Sequence, residues 1–543
     1  MTIAGSDVVV VGGGHNGLVA AGLLAKRGAR VTVLERRPNV GGAAVTEQPW
    51  GPDYRMSALS YVVSMLPPTV HRELQLERFG YKIHPQHGYF AAYRDGRFLQ
   101  LPDDVQRRHE QISKFSTKDA DAYDRWTAWL GGLAGTLAPL LATVPPKLGS
   151  KRPRDLIDQA MLAWRLRAAD EQQVGDITRL FTMSIADLLS EYFESPHLQG
   201  LLSVSGIIGT WAGPRSAGTA YVMAHHQIGD IGDGQMSAWG FPEGGMGRVA
   251  DALRAAAEHF GATVRTDATV ARIDVRDGRA TGVTLESGES IAAQVVIAAT
   301  HPKITFLEHL DRRDLPHDFV ECIERWKTRS GTVKVNLALD RLPDFRAKRG
   351  FDPEVHGGTI VLGETLDEIE GAFQDAVAGR CALTPFADVC IPSVFDRTLA
   401  PEGKHVMSMF TQWVPSGYAS EPHTTELDAY ADRVIERMEV IAPGFTDSIL
   451  HRQVIGPHEM ETTYGLLGGN IFHGELSANQ MFHMRPAPGY ADYRTPIAGL
   501  YQAGSATHGG GGVTGIPALN AVTEIVRDQR SGLLATLRGR RRS

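Results

Sequence analysis

Residues 7–35 read DVVVVGGGHNGLVAAGLLAKRGARVTVLE. The run from Asp7 to Val11 is short, apolar and β-branched, which is typical of a strand buried on both faces of a parallel sheet. Gly12, Gly14 and Gly17 then match the pattern GxGxxG and open a segment rich in Ala and Leu. This order predicts a strand, a tight glycine-rich turn and a helix whose N-terminus faces a ligand.

Each glycine of this loop has its own physical reason. Gly12 allows the tight turn, Gly14 allows a pyrophosphate to approach the backbone, and Gly17 allows the helix to pack closely on the strand. The unpaired N–H groups at the start of the helix, around His15 and Asn16, favour an anion. The loop therefore predicts a phosphate-binding turn.

A second predicted strand, Arg30 to Leu34, ends at Glu35. In dinucleotide-binding units an acidic residue at this place holds the adenosine ribose. Strand, loop, helix, strand and carboxylate in this order predict a dinucleotide site, with Glu35 on the ribose. The alternative is a glycine-rich turn with a purely structural role.

The residues that follow, RRPNVGGA at positions 36–43, indicate which dinucleotide binds. A glycine pair after the second strand resembles FAD enzymes rather than NAD enzymes, and it allows another loop to lie close to the cofactor. We expect Arg36, Gly41, Gly42 and Ala43 to belong to the cofactor site. The segment FPEGGMGR, residues 241–248, opens a predicted helix to His259 and is similar to a segment of phytoene desaturases and amine oxidases.

A β-meander is predicted after this helix. Thr263–Arg265, Thr269–Val275 and Ile291–Ala298 have strand-like patterns, separated by turns at Asp277-Gly278 and Ser287-Gly288. In the superfamily that the preceding segment resembles, such a meander crosses the FAD domain. The resemblance implies that backbone groups at Val270 hold the adenine.

The sequence GLYQAGSATHGGGGVTG, residues 499–515, resembles the C-terminal flavin motif of phytoene desaturases. A strand that ends in glycine-rich backbone before a helix supplies N–H donors for flavin and pyrophosphate oxygens. The resemblance places Gly504, Ser505, Gly512 and Val513 at the cofactor. His508 lies in the same motif, and both a contact with flavin or substrate and a scaffolding role stay open.

Together these motifs resemble the phytoene desaturase-related FAD oxidoreductases, in the branch of pyridine nucleotide-disulfide oxidoreductase domain-containing protein 2 and the desaturase-type β-carotene ketolases. The resemblance implies an α/β fold: a Rossmann-like FAD-binding domain of the glutathione reductase-like and amine oxidase-like type, with an inserted α+β substrate domain. We predict a discontinuous FAD domain of residues 1–95, 235–310 and 490–543. Residues 96–234 and 311–489 are predicted to form the substrate domain, with helical cover.

Composition and missing motifs exclude several functions. The net charge is −7 and no long basic stripe interrupts the body of the chain, which argues against a nucleic-acid partner. The three cysteines have no CxxC spacing, which argues against a disulfide framework, a metal site and disulfide reduction; we expect them to be buried. A second strand-GxGxxG-helix unit for NAD(P)H is absent. We find neither a signal peptide nor a membrane-spanning run, and we expect a cytoplasmic location.

The leading functional prediction is an enzyme that oxidises or desaturates a small apolar substrate, of isoprenoid or carotenoid-like type, by hydride transfer to FAD. A flavin amine oxidase shares the architecture, although no aromatic cage is identifiable in the sequence. A third hypothesis is an FAD-containing binding or regulatory protein, since the named family includes a member linked to mitochondrial function. The electron acceptor is not encoded in these motifs, and we assign no catalytic residue.

Some residues keep two interpretations. Trp126 and Trp129 fit a helix interface better than a substrate channel, because aromatic residues at helical spacing usually lie in a core. Tyr464 and His473 precede the last flavin motif, and a position facing the substrate stays open for both. The basic end, Arg538 to Arg542, fits a solvated tail or a peripheral membrane contact, and a homo-oligomer is compatible with the sequence.

Overall fold

A computed structural model describes residues 7–167, 170–231 and 237–540. The predicted N-terminal unit is present as the strand Asp7–Val11, the helix His15–Ala25 and the strand Arg30–Leu34. They belong to a five-stranded parallel sheet. Its strands lie in the order Leu500–Gln502, Val295–Ala298, Asp7–Val11, Arg30–Leu34 and Thr263–Arg265.

The first strand shows why this sheet is buried on both faces. Val8 and Val10 pack in the core formed with the helices His15–Ala25, Gly247–His259 and Ile516–Arg540. Val9 and Val11 point to the opposite face and pack in the core formed with the meander. Because side chains alternate along a strand, an all-apolar run is needed when both faces are covered.

The meander differs from its prediction at its last strand. Its antiparallel strands are Val270–Arg276, Arg279–Leu285 and Ser290–Ala292. The predicted strand Ile291–Ala298 is wrong as one element, because Val295–Ala298 leaves the meander and lies beside Asp7–Val11 in the parallel sheet. The chain changes sheets at the exposed Gln294, a polar position that periodicity within one apolar run does not resolve.

A larger sheet with seven strands forms the second layer. Its order is Ile449–Ile455, Thr332–Leu339, His405–Gln412, Phe386–Cys390, Thr359–Leu362, Tyr89–Ala92 and Phe98–Leu101. Two of these strands match the predicted Val333–Leu339 and His405–Trp413 to within one residue at each end. The largest apolar core lies between this sheet and its helices.

Helices dominate the segment between residues 100 and 231 and cover the larger sheet. They are Val105–Ser113, Thr117–Leu141, Pro153–Leu166, Glu171–Thr182, Ile185–Tyr192, Pro196–Ser203 and Thr219–His226. Further helices are Pro68–Leu74, His317–Glu324, Pro353–His356, Leu366–Val377, Thr424–Ile441 and Pro457–Thr462. Two short ladders pair Thr46–Glu47 with Met56–Ser57 and Ile83–Pro85 with Gly240–Pro242.

The predicted division into a discontinuous FAD domain and a substrate domain stays a prediction. One detail differs from it: Tyr89–Ala92, assigned to the FAD part, pairs with Thr359–Leu362 of the larger sheet. Of the basic C-terminal end, Arg541 and Arg542 lie outside the described residues. Within the described ranges, no helix has both the length and the apolar character needed to cross a membrane.

Candidate cofactor and substrate site

A groove of about 460 Å³ lies at the carboxyl ends of the parallel strands, where ligands of open α/β sheets bind. Most of the predicted cofactor residues line it: Gly12, Gly14, His15, Asn16, Glu35, Arg36, Gly41, Gly42, Ala43, Val270 and Ser505. They come from both ends and from the middle of the chain. The fold therefore brings together the motifs that the sequence shows separately.

The glycine positions agree with the reasons given for them. Gly12 has a φ of 101°, which other residues rarely adopt. A Cβ on Gly17 would lie 2.0 Å from the Gly12 carbonyl oxygen, so only glycine allows this helix to approach the turn. A Cβ on Gly14 would meet no atom within 4 Å, because this position faces the open groove. The second glycine loop lies against the first, with the Gly41 N–H donating to the Gly13 carbonyl at 2.8 Å.

Glu35 is held in the groove by the backbone around it. Its Oε2 accepts from the Gly13 N–H at 2.7 Å, and its Oε1 accepts from the Arg37 N–H at 2.9 Å. The carboxylate is buried and yet lines the groove. Its position is thus set by the glycine-rich turn and does not depend on a ligand.

The N-terminal and C-terminal motifs meet at the start of the first helix. The Asn16 Nδ2 donates to the Ser505 Oγ at 3.0 Å, across 489 positions of sequence. A Cβ on Gly504 would lie 2.6 Å from the Thr300 carbonyl oxygen, so this glycine packs behind the groove without lining it. Gly512 and Val513 line the adjoining cavity described below.

Several buried polar atoms in the groove have no partner among the described residues. These are the His15 Nε2, the Asn16 Oδ1 and the His473 Nδ1. Buried polar groups in native proteins are almost always hydrogen-bonded, so three such atoms around one cavity indicate a polar ligand. The residues present therefore fit a dinucleotide cofactor, with the open Gly14 position beside them.

The histidines around the site are uncharged at neutral pH. Burial lowers the pKa of His15 to about 4 and that of His473 to about 3, because the imidazolium form loses its hydration. Burial also lowers the pKa of His301, whose Nε2 lies 3.0 Å from the His473 carbonyl oxygen. These rings can serve as neutral hydrogen-bonding groups but carry no charge for acid–base work.

Arg485 is a site residue that sequence reasoning missed. Its guanidinium is buried and donates to four carbonyl oxygens, those of Phe472, Gln480, Ser505 and Thr507, at 2.7 to 3.4 Å. Burial lowers its pKa to about 10, so the side chain stays charged at neutral pH. It ties the C-terminal flavin motif to the loop that carries His473. No motif signals this role, because the partners are backbone atoms.

A second cavity, of about 170 Å³, adjoins the groove. The two share the lining residues His15, Ala43, Leu466, His473 and Ser505. The rest of the second cavity is mainly apolar and aromatic, with Leu59, Tyr61, Val62, Val63, Met65, Tyr89, Ile208, Trp239, Phe410, Met460, Ile471 and Phe472. The junction is the place where cofactor and substrate can meet.

A buried polar cluster lies in this apolar cavity, and sequence reasoning missed it too. Burial lowers the pKa of Lys334 to about 7, although Cys390 and Asp388 nearby favour the charged form. Burial raises the pKa of Asp388 to about 6, against a hydrogen bond from Tyr61 and the Lys334 charge. The Lys334 ammonium hydrogen-bonds to Ser408 and lies 3.7 Å from the centroid of the Tyr61 ring.

Strand geometry explains how this cluster forms. Lys334 and Asp388 belong to two strands of the larger sheet that both pair with His405–Gln412, opposite the same residue, Phe410. Lys334 interrupts the apolar sequence TVKVNLAL, residues 332–339, in a strand that is buried throughout. A charged residue in such a strand is the one signal that could have identified it.

The residues with two interpretations are now placed. The His508 Nε2 lies 3.1 Å from the Leu140 carbonyl oxygen, and the ring lines neither cavity of the site, which fits a scaffold. Tyr464 faces the groove and donates to Glu47 at 3.0 Å, whereas His473 lines both cavities. Trp126 and Trp129 pack in the apolar core around the larger sheet.

The cysteine prediction is correct for two of three residues. Cys381 and Cys390 are buried, whereas Cys322 is only half-buried, so its predicted burial is wrong. All three are free thiols.

The model of the family described as flavin containing amine oxidoreductase matches residues 17–517. The chain belongs to this family. Pyridine nucleotide-disulfide oxidoreductase domain-containing protein 2 of Rattus norvegicus is 37% identical, over 97% of this chain and 94% of the rat protein. A limonene dehydrogenase polypeptide of Castellaniella defragrans is 26% identical, over 96% of this chain and 94% of that protein.

Among solved structures, cyclohexylamine oxidase from Brevibacterium oxydans has a TM-score of 0.59 at 17% identity, covering 97% of this chain and 99% of that one. At this identity the likeness shows the fold alone. The predicted family resemblance and α/β fold are confirmed. The chain is an FAD-dependent oxidoreductase, as predicted.

Proposed function

We propose that this FAD-dependent oxidoreductase dehydrogenates a compact apolar substrate in the cavity beside the flavin groove. The observation that carries the proposal is the lining of that cavity, which is apolar and aromatic except for a few polar groups gathered around Lys334 and Asp388. Burying apolar surface there contributes about 25 cal/mol per Å². The limonene dehydrogenase relative, similar over almost the whole chain, supports the same substrate class.

The size of the cavity favours a small substrate. At about 170 Å³ it is close to an engineered protein cavity of about 150 Å³ that binds benzene. A carotenoid of about forty carbons needs several times this space. We therefore propose a substrate built on one ring, of monoterpene size, rather than a carotenoid.

The roles of the cofactor residues follow from the groove. The N-terminus of the helix His15–Ala25 faces the pyrophosphate, with Gly14 leaving space for it, and Glu35 receives the ribose hydroxyls. Val270, at the rim of the groove, is proposed to hold the adenine through its backbone. When bound, FAD accepts two electrons and one hydrogen from the substrate as hydride.

The chain itself must handle the proton that dehydrogenation releases. Forming a C=C bond removes a hydride from one carbon and a proton from its neighbour. Lys334 is the proposed base, because a pKa of about 7 leaves much of its amine neutral at neutral pH. The amine nitrogen takes the proton, and Asp388 and Tyr61 stabilise the ammonium that results. The apolar walls exclude water from this step.

Anaerobic mixing of the flavin-loaded enzyme with candidate substrates tests the proposal through the loss of oxidised-flavin absorption. We expect limonene or a related cyclic hydrocarbon to reduce the flavin, and cyclohexylamine and putrescine to leave it oxidised. Faster reduction by the amines would instead identify an amine oxidase. Bound FAD that none of these compounds reduces would refute the proposed substrate class and favour the binding-protein hypothesis.

The proposed base has its own test. Lys334→Met should slow flavin reduction by about 10²- to 10⁴-fold while FAD binding is retained. Lys348→Met is the matched control, since Lys348 lines neither cavity and pairs with Asp352 at 2.6 Å. Equal rates for the two variants would show that Lys334 is not the base. We keep the cytoplasm as the proposed location, which cell fractionation checks.

A further inference from the structure

The helix Pro153–Leu166 presents its apolar side to solvent. Leu156, Ile157, Met161 and Trp164 recur at intervals of one, three or four residues, so they lie on one side of the helix. Together with Leu148 in the preceding loop they are between 47% and 61% exposed. Single exposed apolar residues are common, but a contiguous stripe marks a surface that another body covers.

The polar side of the same helix faces the protein. Arg154 pairs with Glu524 and, at 2.9 Å, with Asp528, both on the C-terminal helix. Asp158 accepts two hydrogen bonds from Arg527 at 2.9 and 3.0 Å. An amphipathic helix of a globular protein normally turns its apolar stripe inward. Here the ion pairs hold the helix in the opposite orientation, so the outward stripe is imposed by the fold.

Positive charge flanks the apolar stripe at both ends. Lys151 and Arg152 are exposed before the helix, and Arg167 is exposed after it. The Arg167 guanidinium lies 3.9 Å from the centroid of the Trp164 ring. No carboxylate of the described residues pairs with these three cations. Tryptophan beside arginine at the end of an apolar face is the arrangement of interfacial membrane helices.

An apolar crevice leads inward from this surface. A cavity of about 230 Å³ begins at Leu148 and Leu162 and ends at Phe482 and His508, in the C-terminal flavin motif. A second copy of the chain seated on the helix would cover the mouth of this crevice. A bilayer would instead bring dissolved apolar molecules to it, and this part of the argument rests on the proposed apolar substrate.

We infer that the helix Pro153–Leu166 docks the protein on a lipid surface that carries anionic headgroups. The apolar stripe lies among the acyl chains at the membrane surface, while Lys151, Arg152 and Arg167 contact the headgroups. The docked helix lies flat on one leaflet and does not span the bilayer.

Co-sedimentation of the full-length, flavin-loaded protein with vesicles tests this inference without any substrate. The vesicles contain phosphatidylcholine alone, or phosphatidylcholine with one part in four of phosphatidylglycerol. We expect the protein to pellet with the anionic vesicles, and added salt to weaken this binding. The double variant Ile157→Glu, Trp164→Glu should bind these vesicles at least tenfold more weakly, with unchanged flavin content.

The matched control is Phe351→Glu with Leu383→Glu, at two apolar residues that are equally exposed but lie elsewhere. It should bind vesicles as the wild type does. Replacing Lys151 and Arg152 by glutamine should weaken binding to anionic vesicles several-fold. Absence of pelleting with either vesicle would overturn the inference. So would a wild-type dimer that the Ile157→Glu, Trp164→Glu variant converts to a monomer, since a second copy would then cover the stripe.

Discussion

Replacing Lys334 by methionine should change how the stability of the protein depends on pH. The pKa of Lys334 is about 7 in the folded protein, against 10.5 for an ordinary lysine. Between these values the unfolded chain binds a proton that the folded protein does not, so wild-type stability rises with pH. One pKa unit corresponds to 1.36 kcal/mol, and for these two pKa values the gain from pH 7 to pH 9 is about 2 kcal/mol.

The Lys334→Met variant lacks this proton, so its stability relative to wild type should fall by about 2 kcal/mol over the same pH interval. The measurement is urea-induced unfolding of both proteins, saturated with FAD, at pH 7 and pH 9. Asp388→Asn in both backgrounds removes any contribution from that carboxyl, whose pKa of about 6 loses the influence of the lysine. Equal pH dependence for wild type and variant would refute the buried, weakly basic lysine.

Three further predictions concern the cofactor site. Gly17→Ala should abolish FAD binding because its Cβ would lie 2.0 Å from the Gly12 carbonyl oxygen, whereas Gly14→Ala should leave the fold intact and weaken FAD, as fluorescence titration and circular dichroism would show. Arg485→Met should destabilise the protein by about 3 kcal/mol or more, since four buried carbonyl oxygens lose their donor; a melting temperature like that of wild type would contradict this. The rate of flavin reduction should rise with pH through about 7 as Lys334 loses its proton, and a flat profile would exclude it as the base.

The cofactor half of the site was predictable because its signals are local. Gly12, Gly14 and Glu35 lie within one strand-turn-helix-strand unit, and each residue type there is dictated by backbone geometry or by the ligand. The C-terminal motif is equally compact. Its contact with the first motif, from Asn16 to Ser505, follows once both are placed on one sheet.

The substrate half was not predictable in the same way. Lys334, Asp388 and Tyr61 come from separate elements, and their meeting depends on strand order and register in the larger sheet. The carbonyl partners of Arg485 carry no side-chain signature at all. The split of the segment 291–298 at Gln294 likewise depends on which sheet each half joins.

By itself, the sequence determined the FAD-binding unit, the family and the oxidoreductase class, because glycine conformations and strand-turn-helix geometry are set over a few residues. Only the tertiary structure decided the small apolar cavity, its buried lysine and the outward face of the helix Pro153–Leu166. Periodicity shows that this helix is amphipathic, but not which side meets the protein. That choice depends on the ion pairs to Glu524, Arg527 and Asp528, which form only when distant segments pack together.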